Sequence, residues 1–167
     1  MQTLDLKHEL RDPVMARGQL HALGAKHVIR LDQRDVRFPL PDGRLLRREA
    51  EGEPTEWIFY HRPDRPRPAM CHFTILSDRQ ARTRWGAHGL REGATIERCR
   101  EYWMAGDIGV HLDEVAGLGR FLELIVLLTN AVDPDDARRR LLELRERLAP
   151  ALGEPVAASY GDLVEVA

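Results

Sequence analysis

The feature that most constrains the fold is a series of short segments in which charged and apolar residues alternate. A period of two is that of a β-strand with one polar and one apolar face. In residues 2–8, Leu4 and Leu6 alternate with Thr3, Asp5 and Lys7. We predict eight strands in all, several of them with this alternation, at 2–8, 28–38, 44–49, 57–61, 69–76, 95–104, 110–115 and 121–128.

Short turns connect several of these strands. The joins at 39–44, 105–109 and 116–120 contain Gly, Pro or Asp and are too short for crossovers, which predicts antiparallel neighbours. So many strands with one charged face favour a closed barrel with a polar interior and helices on its outside. The alternative is an ordinary sheet whose charged face lies in solvent. The predicted fold class is α+β, an eight-stranded antiparallel β-barrel, or tunnel, with flanking helices.

Three helices are predicted from their start signals. Asp12-Pro13 begins the first, which closes at Leu23-Gly24, and Ser77-Asp78 begins a short helix that reaches about Gly89. Asp133-Pro134 begins the last, whose leucines through Leu148 follow a helical spacing.

The chain length and the apolar runs limit the remaining possibilities. The 167 residues are about one domain, which we assign to 1–167. The longest apolar run, 124–128, is far shorter than the roughly 18 residues of a membrane-spanning helix. The first residues do not resemble a signal peptide, so a cytoplasmic location is expected. Cys71 and Cys99 are too few for a disulfide scaffold or a cysteine-based zinc site.

Arginine dominates the basic residues. Lys7 and Lys26 are the two lysines among 25 basic residues, and arginine is the better bidentate ligand for phosphate. Genome composition is the alternative cause of this excess. The net charge of −2 and the lack of regularly interleaved aromatic residues do not favour nucleic-acid binding.

Several motifs, in order along the chain, resemble those of the CYTH superfamily, which includes class IV adenylyl cyclases and thiamine triphosphatases. The segment 111–124, HLDEVAGLGRFLEL, resembles the family's LDEVEGLGxFxELE. Residues 33–49 are similar to QxDTYF…GRLKLRE, and 60–64 to YKRPD. Segments 95–100 and 159–163 also fall in family order. The resemblance implies the triphosphate tunnel fold.

The resemblance also implies a set of site residues. A tunnel that binds a triphosphate needs inward cations, and carboxylates that hold Mg²⁺ or Mn²⁺. The implied phosphate-binding residues are Lys7, Arg44, Arg48, Arg98 and Arg100. The implied metal ligands are Asp5, Asp113 and Glu123, and the implied catalytic residues are Lys7, His61 and Glu49.

Departures from the family pattern bear on the metal and on the substrate. Thr3 and Ile125 stand where the family has acids, while Leu46 and His61 stand where it has lysines. Fewer carboxylates weaken metal binding, and fewer lysines reduce the charge available for a full triphosphate. An imidazole at position 61 could titrate near neutral pH and act as a general acid or base.

Three functions therefore remain open at this stage. The first is a metal-assisted enzyme on a triphosphate or another phosphorylated small molecule, of the nucleotide cyclase or triphosphate phosphohydrolase type. The second is a tunnel that acts on a smaller, less charged substrate by acid/base chemistry without metal. The third is a non-catalytic protein that binds an anion or a nucleotide. A homodimer is also possible, and its interface could be formed by Trp57, Trp103 and the strand at 124–128.

Overall fold

A computed structural model describes residues 1–86 and 90–166. The described part of the chain forms nine strands, four α-helices and one 3₁₀ turn. The strands are β1 Gln2–Leu10, β2 Lys26–Phe38, β3 Arg44–Ala50, β4 Glu56–His61, β5 Ala69–Ser77, β6 Thr95–Ala105, β7 Ile108–Val115, β8 Gly119–Leu128 and β9 Leu152–Pro155. The helices are α1 Pro13–Ala22, α2 Asp78–Trp85, α3 Pro134–Leu148 and α4 Tyr160–Val166, and the 3₁₀ turn is Ala149–Ala151.

Eight of the strands close into an antiparallel barrel, which confirms the predicted fold. Their order is β5-β4-β3-β2-β6-β7-β8-β1, and pairing between β5 and β1 closes the ring. Strand β1 is shared along its length, because its first residues pair with β5 and its last residues with β9. Closure leaves alternate residues of each strand pointing into a common interior.

The helices begin where their capping residues predict. The side chains of Asp12, Ser77 and Asp133 each accept a hydrogen bond from a backbone N–H of the following turn. Ser77 and Gln80 form a reciprocal capping box. Helix α2 ends at Trp85, and the predicted continuation to Gly89 falls on residues 87–89, which lie outside the described residues.

Two elements after α3 are absent from the sequence prediction. Strand β9 and helix α4 have four and seven residues, too few to show a recognisable hydrophobic period. Helix α4 packs against one end of the barrel, where Tyr160 clusters with Ile96, Val115 and Phe121. The C-terminal segment therefore brings Tyr160 into contact with the interior.

The main core lies between the outer face of the barrel and helices α1 and α3. Trp103 is in this core, and Trp57 is in a second core beneath α2, where its indole N–H donates to Asp78. Both tryptophans are buried, so neither can form the dimer face that the sequence suggested. No helix in the described residues is long and apolar enough to cross a membrane.

Candidate functional site

The barrel encloses a cavity of about 310 Å³ whose lining combines charged and apolar side chains. Because successive side chains of a strand alternate between the two faces, residues two apart share the interior. Seven residues predicted for the site line this cavity: Asp5, Lys7, Arg44, Arg48, Arg98, Arg100 and Glu123. An eighth, Asp113, lies buried directly behind Arg100.

One ion-pair cluster is centred on Asp35. Arg48 binds both oxygens of this carboxylate at 2.9 Å, and Nη2 of Arg98 lies 2.9 Å from Oδ2. Burial opposes ionisation, but the two guanidinium groups outweigh it and lower the pKa of Asp35 to about 2. Gln33 accepts two further hydrogen bonds from Arg98. The sequence prediction missed Asp35, although it follows Gln33 by two residues on the inward face of β2.

A second cluster is centred on Arg100. This guanidinium donates to both oxygens of Asp113, at 2.7 and 2.6 Å, and to Glu123 at 3.3 Å. The hydroxyl of Tyr160 donates to Asp113 at 2.8 Å. Burial opposes ionisation of Asp113, but the charge of Arg100 holds the pKa of this carboxyl below its ordinary value. Helix α4 therefore completes the hydrogen bonding of a buried carboxylate.

Lys7 lies in the interior on β1. Its ammonium donates to the backbone carbonyl of Ala158 at 2.6 Å and lies 4.2 Å from the centroid of the Tyr160 ring. Burial lowers the pKa of Lys7, and the nearby carboxylate of Glu123 opposes this effect. The lysine is therefore held at the C-terminal segment and beside the Arg100 cluster.

Asp5 forms a third ion pair, with Arg62. The Nε of Arg62 donates to Asp5, and Nη1 donates to the carbonyl of Ala157 at 3.1 Å. Burial and the neighbouring charge of Glu123 raise the pKa of Asp5 to about 7, against the opposing effect of Arg62. The sequence prediction missed Arg62, which follows β4 immediately and keeps the inward parity of that strand.

The histidine of the interior is His111. Its Nδ1 lies 3.4 Å from Oε2 of Glu123, and its ring faces the cavity. An ionised carboxylate can only accept, so Nδ1 carries the proton and Nε2 is left as an acceptor. Burial and the charge of Arg100 lower the pKa of His111, which keeps the imidazole neutral near pH 7.

Two of the predicted catalytic residues lie outside the tunnel. Glu49 is on the outer face of β3, where it accepts hydrogen bonds from Arg34 and Arg47. His61 is exposed and lies 3.1 Å from Asp42. The physical reason is strand parity: the inward neighbour of Glu49 is Arg48, and the residues beside His61 that face the cavity are Tyr60 and Arg62.

The donor set does not fit a resident divalent ion. Among residues 1–86 and 90–166, no group of three His, Cys, Asp or Glu side chains is arranged to hold one. Mg²⁺ and Mn²⁺ need carboxylate oxygens that are available for coordination. The predicted ligands are instead bound by arginine, Asp5 by Arg62 and the other two, Asp113 and Glu123, by Arg100. These guanidiniums supply the positive charge that the ion would bring.

A larger groove of about 590 Å³ lies against strands β2, β3, β6 and β7. Five carboxylates line it, with Arg34 and Arg98 as the cations. Such a surface repels an anionic ligand, so the barrel interior is the better candidate site for phosphate. The five carboxylates are those of Asp32, Glu49, Glu51, Glu97 and Glu114.

The interior arginines keep one donor group each for a ligand. Arg48 and Arg100 use Nε and Nη2 in their ion pairs, whereas Arg98 donates from Nε and Nη2 to Gln33 and has Nη2 at the carboxylate of Asp35. Within the described chain Nη1 of each arginine makes no hydrogen bond. A carboxylate on one edge of a guanidinium fixes its orientation and leaves the other edge for a second anion. This arrangement is suited to binding the oxygens of a phosphate group.

Comparison with known proteins gives a consistent assignment of the fold. A family model described as the CYTH domain matches residues 4–160. The PH1012 protein of Pyrococcus horikoshii is 18% identical, with a TM-score of 0.79 over 96% of this chain and 98% of that one. A Hippeastrum protein, described as having a dominant triphosphatase activity, is 14% identical, with a TM-score of 0.68 over 99% of this chain and 96% of that one. No curated protein matches the sequence.

Proposed function

This chain belongs to the CYTH family, and from that premise we propose that its tunnel is the active site of an enzyme acting on a phosphorylated small molecule. The observation that carries the proposal is the set of three buried arginines, Arg48, Arg98 and Arg100, each anchored on a carboxylate with Nη1 left for a ligand. Guanidinium groups in this arrangement bind phosphate oxygens with charge-assisted hydrogen bonds.

The reaction that we propose is hydrolysis at phosphorus. His111 lines the cavity with Nδ1 hydrogen-bonded to Glu123, so Nε2 can accept a proton from an attacking water. The water oxygen forms a bond to phosphorus, the bond to the leaving oxygen breaks, and the guanidinium groups stabilise the negative charge that develops. Lys7 pairs across the strands with Glu123, the hydrogen-bond partner of His111, and adds a further positive charge.

Members of the CYTH family generally depend on a divalent metal. In this chain the charge is instead supplied by Arg62 and Arg100, which occupy the carboxylates that would ligate an ion. The proposed hydrolysis therefore uses the guanidinium groups and no metal ion. This favours the acid/base alternative drawn from the sequence, with His111 in place of His61 as the group that transfers the proton.

The test measures binding and turnover together. Purified protein is incubated with phenyl phosphate, ATP, thiamine triphosphate and tripolyphosphate, each with EDTA and with Mn²⁺, and binding and products are followed by phosphorus NMR. We expect binding and release of inorganic phosphate from at least one compound. If the protein binds none of the four compounds, the proposal fails. Release of a cyclic nucleotide with pyrophosphate would show that the reaction is cyclisation and not hydrolysis.

A matched pair of variants on one strand locates the site. Arg48→Gln removes a cavity-facing guanidinium, whereas Arg47→Gln removes its neighbour on the outer face, which contacts Glu49 and Glu92. We expect Arg48→Gln to weaken phosphate binding by about tenfold or more, the usual effect of losing a charged hydrogen bond, and Arg47→Gln to leave it unchanged. Equal effects of the two substitutions would exclude the tunnel as the binding site.

A further inference from the structure

The wall of the tunnel is divided into two chemically different parts. Most of the charged side chains come from β1, β2, β6, β7 and β8, and Arg44, Arg48 and Glu56 add charges near the ends of β3 and β4. The apolar part lies between these charges, on the inward faces of β3, β4 and β5. In the second part Leu46 is paired with Ile58 and Ile58 with Ile75, which forms a continuous row across the three strands. All three side chains line the cavity.

Further residues extend the apolar part. Phe73 pairs with Tyr60 in the next row, and Ile125 lines the cavity from β8. Burial raises the pKa of Tyr60 and of the neighbouring Cys71 to about 12, so both side chains are uncharged near pH 7. This wall offers a ligand apolar and aromatic surface with a neutral hydroxyl and thiol.

The apolar row is not hidden beneath the protein's own core. Leu46, Ile58 and Phe73 are partly exposed into the cavity, and Ile75 is 41% exposed. Apolar surface that faces an aqueous cavity favours a ligand that removes it from water. Because Leu46 is two residues from Arg48 on β3, their Cα atoms lie about 7 Å apart and their side chains share the inward face.

The charge of the interior limits the charge of the ligand. Six cations face six carboxylates, and the pKa of Asp5, about 7, leaves that carboxyl partly protonated, so the surplus of positive charge lies between zero and one near pH 7. A single phosphate monoester carries between one and two negative charges near pH 7, and a triphosphate about twice as many. The cations are Lys7, Arg44, Arg48, Arg62, Arg98 and Arg100, and the carboxylates are Asp5, Asp35, Glu56, Asp64, Asp113 and Glu123.

We propose that the ligand of this tunnel is a phosphate monoester of an apolar alcohol, aryl or alkyl. Its phosphate lies against Arg48, Arg98 and Arg100, and its apolar group lies against the row of Leu46, Ile58 and Ile75. A cavity of about 310 Å³ is at the small end of the range of ligand pockets, which suits a compact ester. This inference rests on the proposed function and names the substrate class for the same site.

The experiment is isothermal titration calorimetry of the whole chain with phenyl phosphate, inorganic phosphate and tripolyphosphate. We expect phenyl phosphate to bind about tenfold tighter than inorganic phosphate, and tripolyphosphate to bind no tighter than phenyl phosphate. Phenyl phosphate should also give the more negative heat-capacity change, which is the signature of apolar burial.

Variants of the apolar row provide the second readout. Leu46→Lys places a cation in the row and should weaken phenyl phosphate binding about tenfold while strengthening tripolyphosphate binding. The matched control, Val14→Lys on α1, is 74% exposed away from the cavity and should change neither affinity. If Leu46→Lys does not fold by circular dichroism, Leu46→Ala takes its place and should weaken phenyl phosphate binding without changing inorganic phosphate binding.

The outcomes separate the two proposals. If inorganic phosphate and tripolyphosphate bind as tightly as phenyl phosphate, or if the Leu46 variants have no more effect than Val14→Lys, the substrate class is wrong and the phosphate site stands. If none of the three compounds binds, this inference fails, and binding of ATP or thiamine triphosphate in the phosphorus NMR test decides whether the proposed function fails with it.

Discussion

The two faces of the barrel use the same residue types for different purposes. On β3, Arg48 points inward to the nearly inaccessible carboxylate of Asp35, while Arg47 points outward to Glu49 and Glu92, which are 41% and 57% exposed. Inside, each ion pair is shielded from water, so breaking it leaves a buried charge without a partner. Outside, water screens both partners and the pair contributes little to stability. Burial, rather than the identity of the pair, decides its contribution.

The largest expected effect is on the stability of the interior. Asp35→Ala leaves Arg48 and Arg98 without their carboxylate, and the side chain of Arg98 is only 3% exposed. Removing one partner of a buried pair costs about 3–5 kcal/mol, so the free energy of unfolding in urea should fall by that amount. The matched control is Asp136→Ala on α3, where an exposed carboxylate loses Arg139 and Arg140. If the free energy of unfolding falls equally in both variants, burial does not distinguish the inner ion pairs from the outer ones.

The next effect concerns turnover and compares two histidines. His111→Gln removes the imidazole that faces the cavity, and His61→Gln removes the exposed one beside Asp42. General-base groups contribute about 10²–10⁴-fold, so the hydrolysis rate of the best substrate should fall at least 100-fold in the first variant and stay unchanged in the second. The measurement is kcat by phosphate release. If His61→Gln lowers kcat and His111→Gln does not, the residue that transfers the proton is His61 and not His111.

The pH dependence of stability should also reflect the interior pairs. The pKa of Asp35 is lowered from its ordinary 3.8 to about 2 in the folded state. The stabilisation is therefore complete above about pH 4 and is lost as the pH falls towards 2, a change of about 2 kcal/mol. Urea unfolding between pH 6 and pH 2 should show this loss in the native chain. Asp35→Asn should be less stable at pH 6 and should converge on the native chain at low pH, and parallel curves would refute the assignment.

The smallest expected effect is that of a chelator. Because Arg62 and Arg100 already neutralise the interior carboxylates, EDTA should change the affinity for phenyl phosphate less than twofold in calorimetry. Arg100→Gln sharpens this test, since it removes the guanidinium from Asp113 and Glu123 and should create weak Mn²⁺ binding, detectable by electron paramagnetic resonance. Loss of ligand binding in EDTA, restored by Mn²⁺, would show that a metal can displace these arginines.

Local signals predicted most of the elements. Asp12, Ser77 and Asp133 each cap a helix where the sequence placed its start. The eight strands of the barrel follow from alternating or short apolar segments bounded by turn residues. Strand β9 and helix α4 were missed because neither is long enough to carry a period, and both depend on contacts with the barrel.

The site was predicted less completely, for reasons that differ between residues. Strand parity placed Arg98 and Arg100 on one face, and both line the interior. His61 and Glu49 were assigned by their place in family motifs, and parity puts both on the outer face. The predicted site does not include Arg62, because the Arg62-Pro63 pair marks the end of the predicted strand.

The sequence by itself determined the strand pattern, the helix starts and the membership of the chain in its family, because these depend on short-range periodicity and on motifs. Only the tertiary structure decided which carboxylate each arginine would bind. Asp5 and Arg62 are 57 residues apart, and Arg100 and Glu123 are 23 apart. Such partners are chosen by strand register and barrel closure, and the energy of each pair is then set by the burial that closure creates.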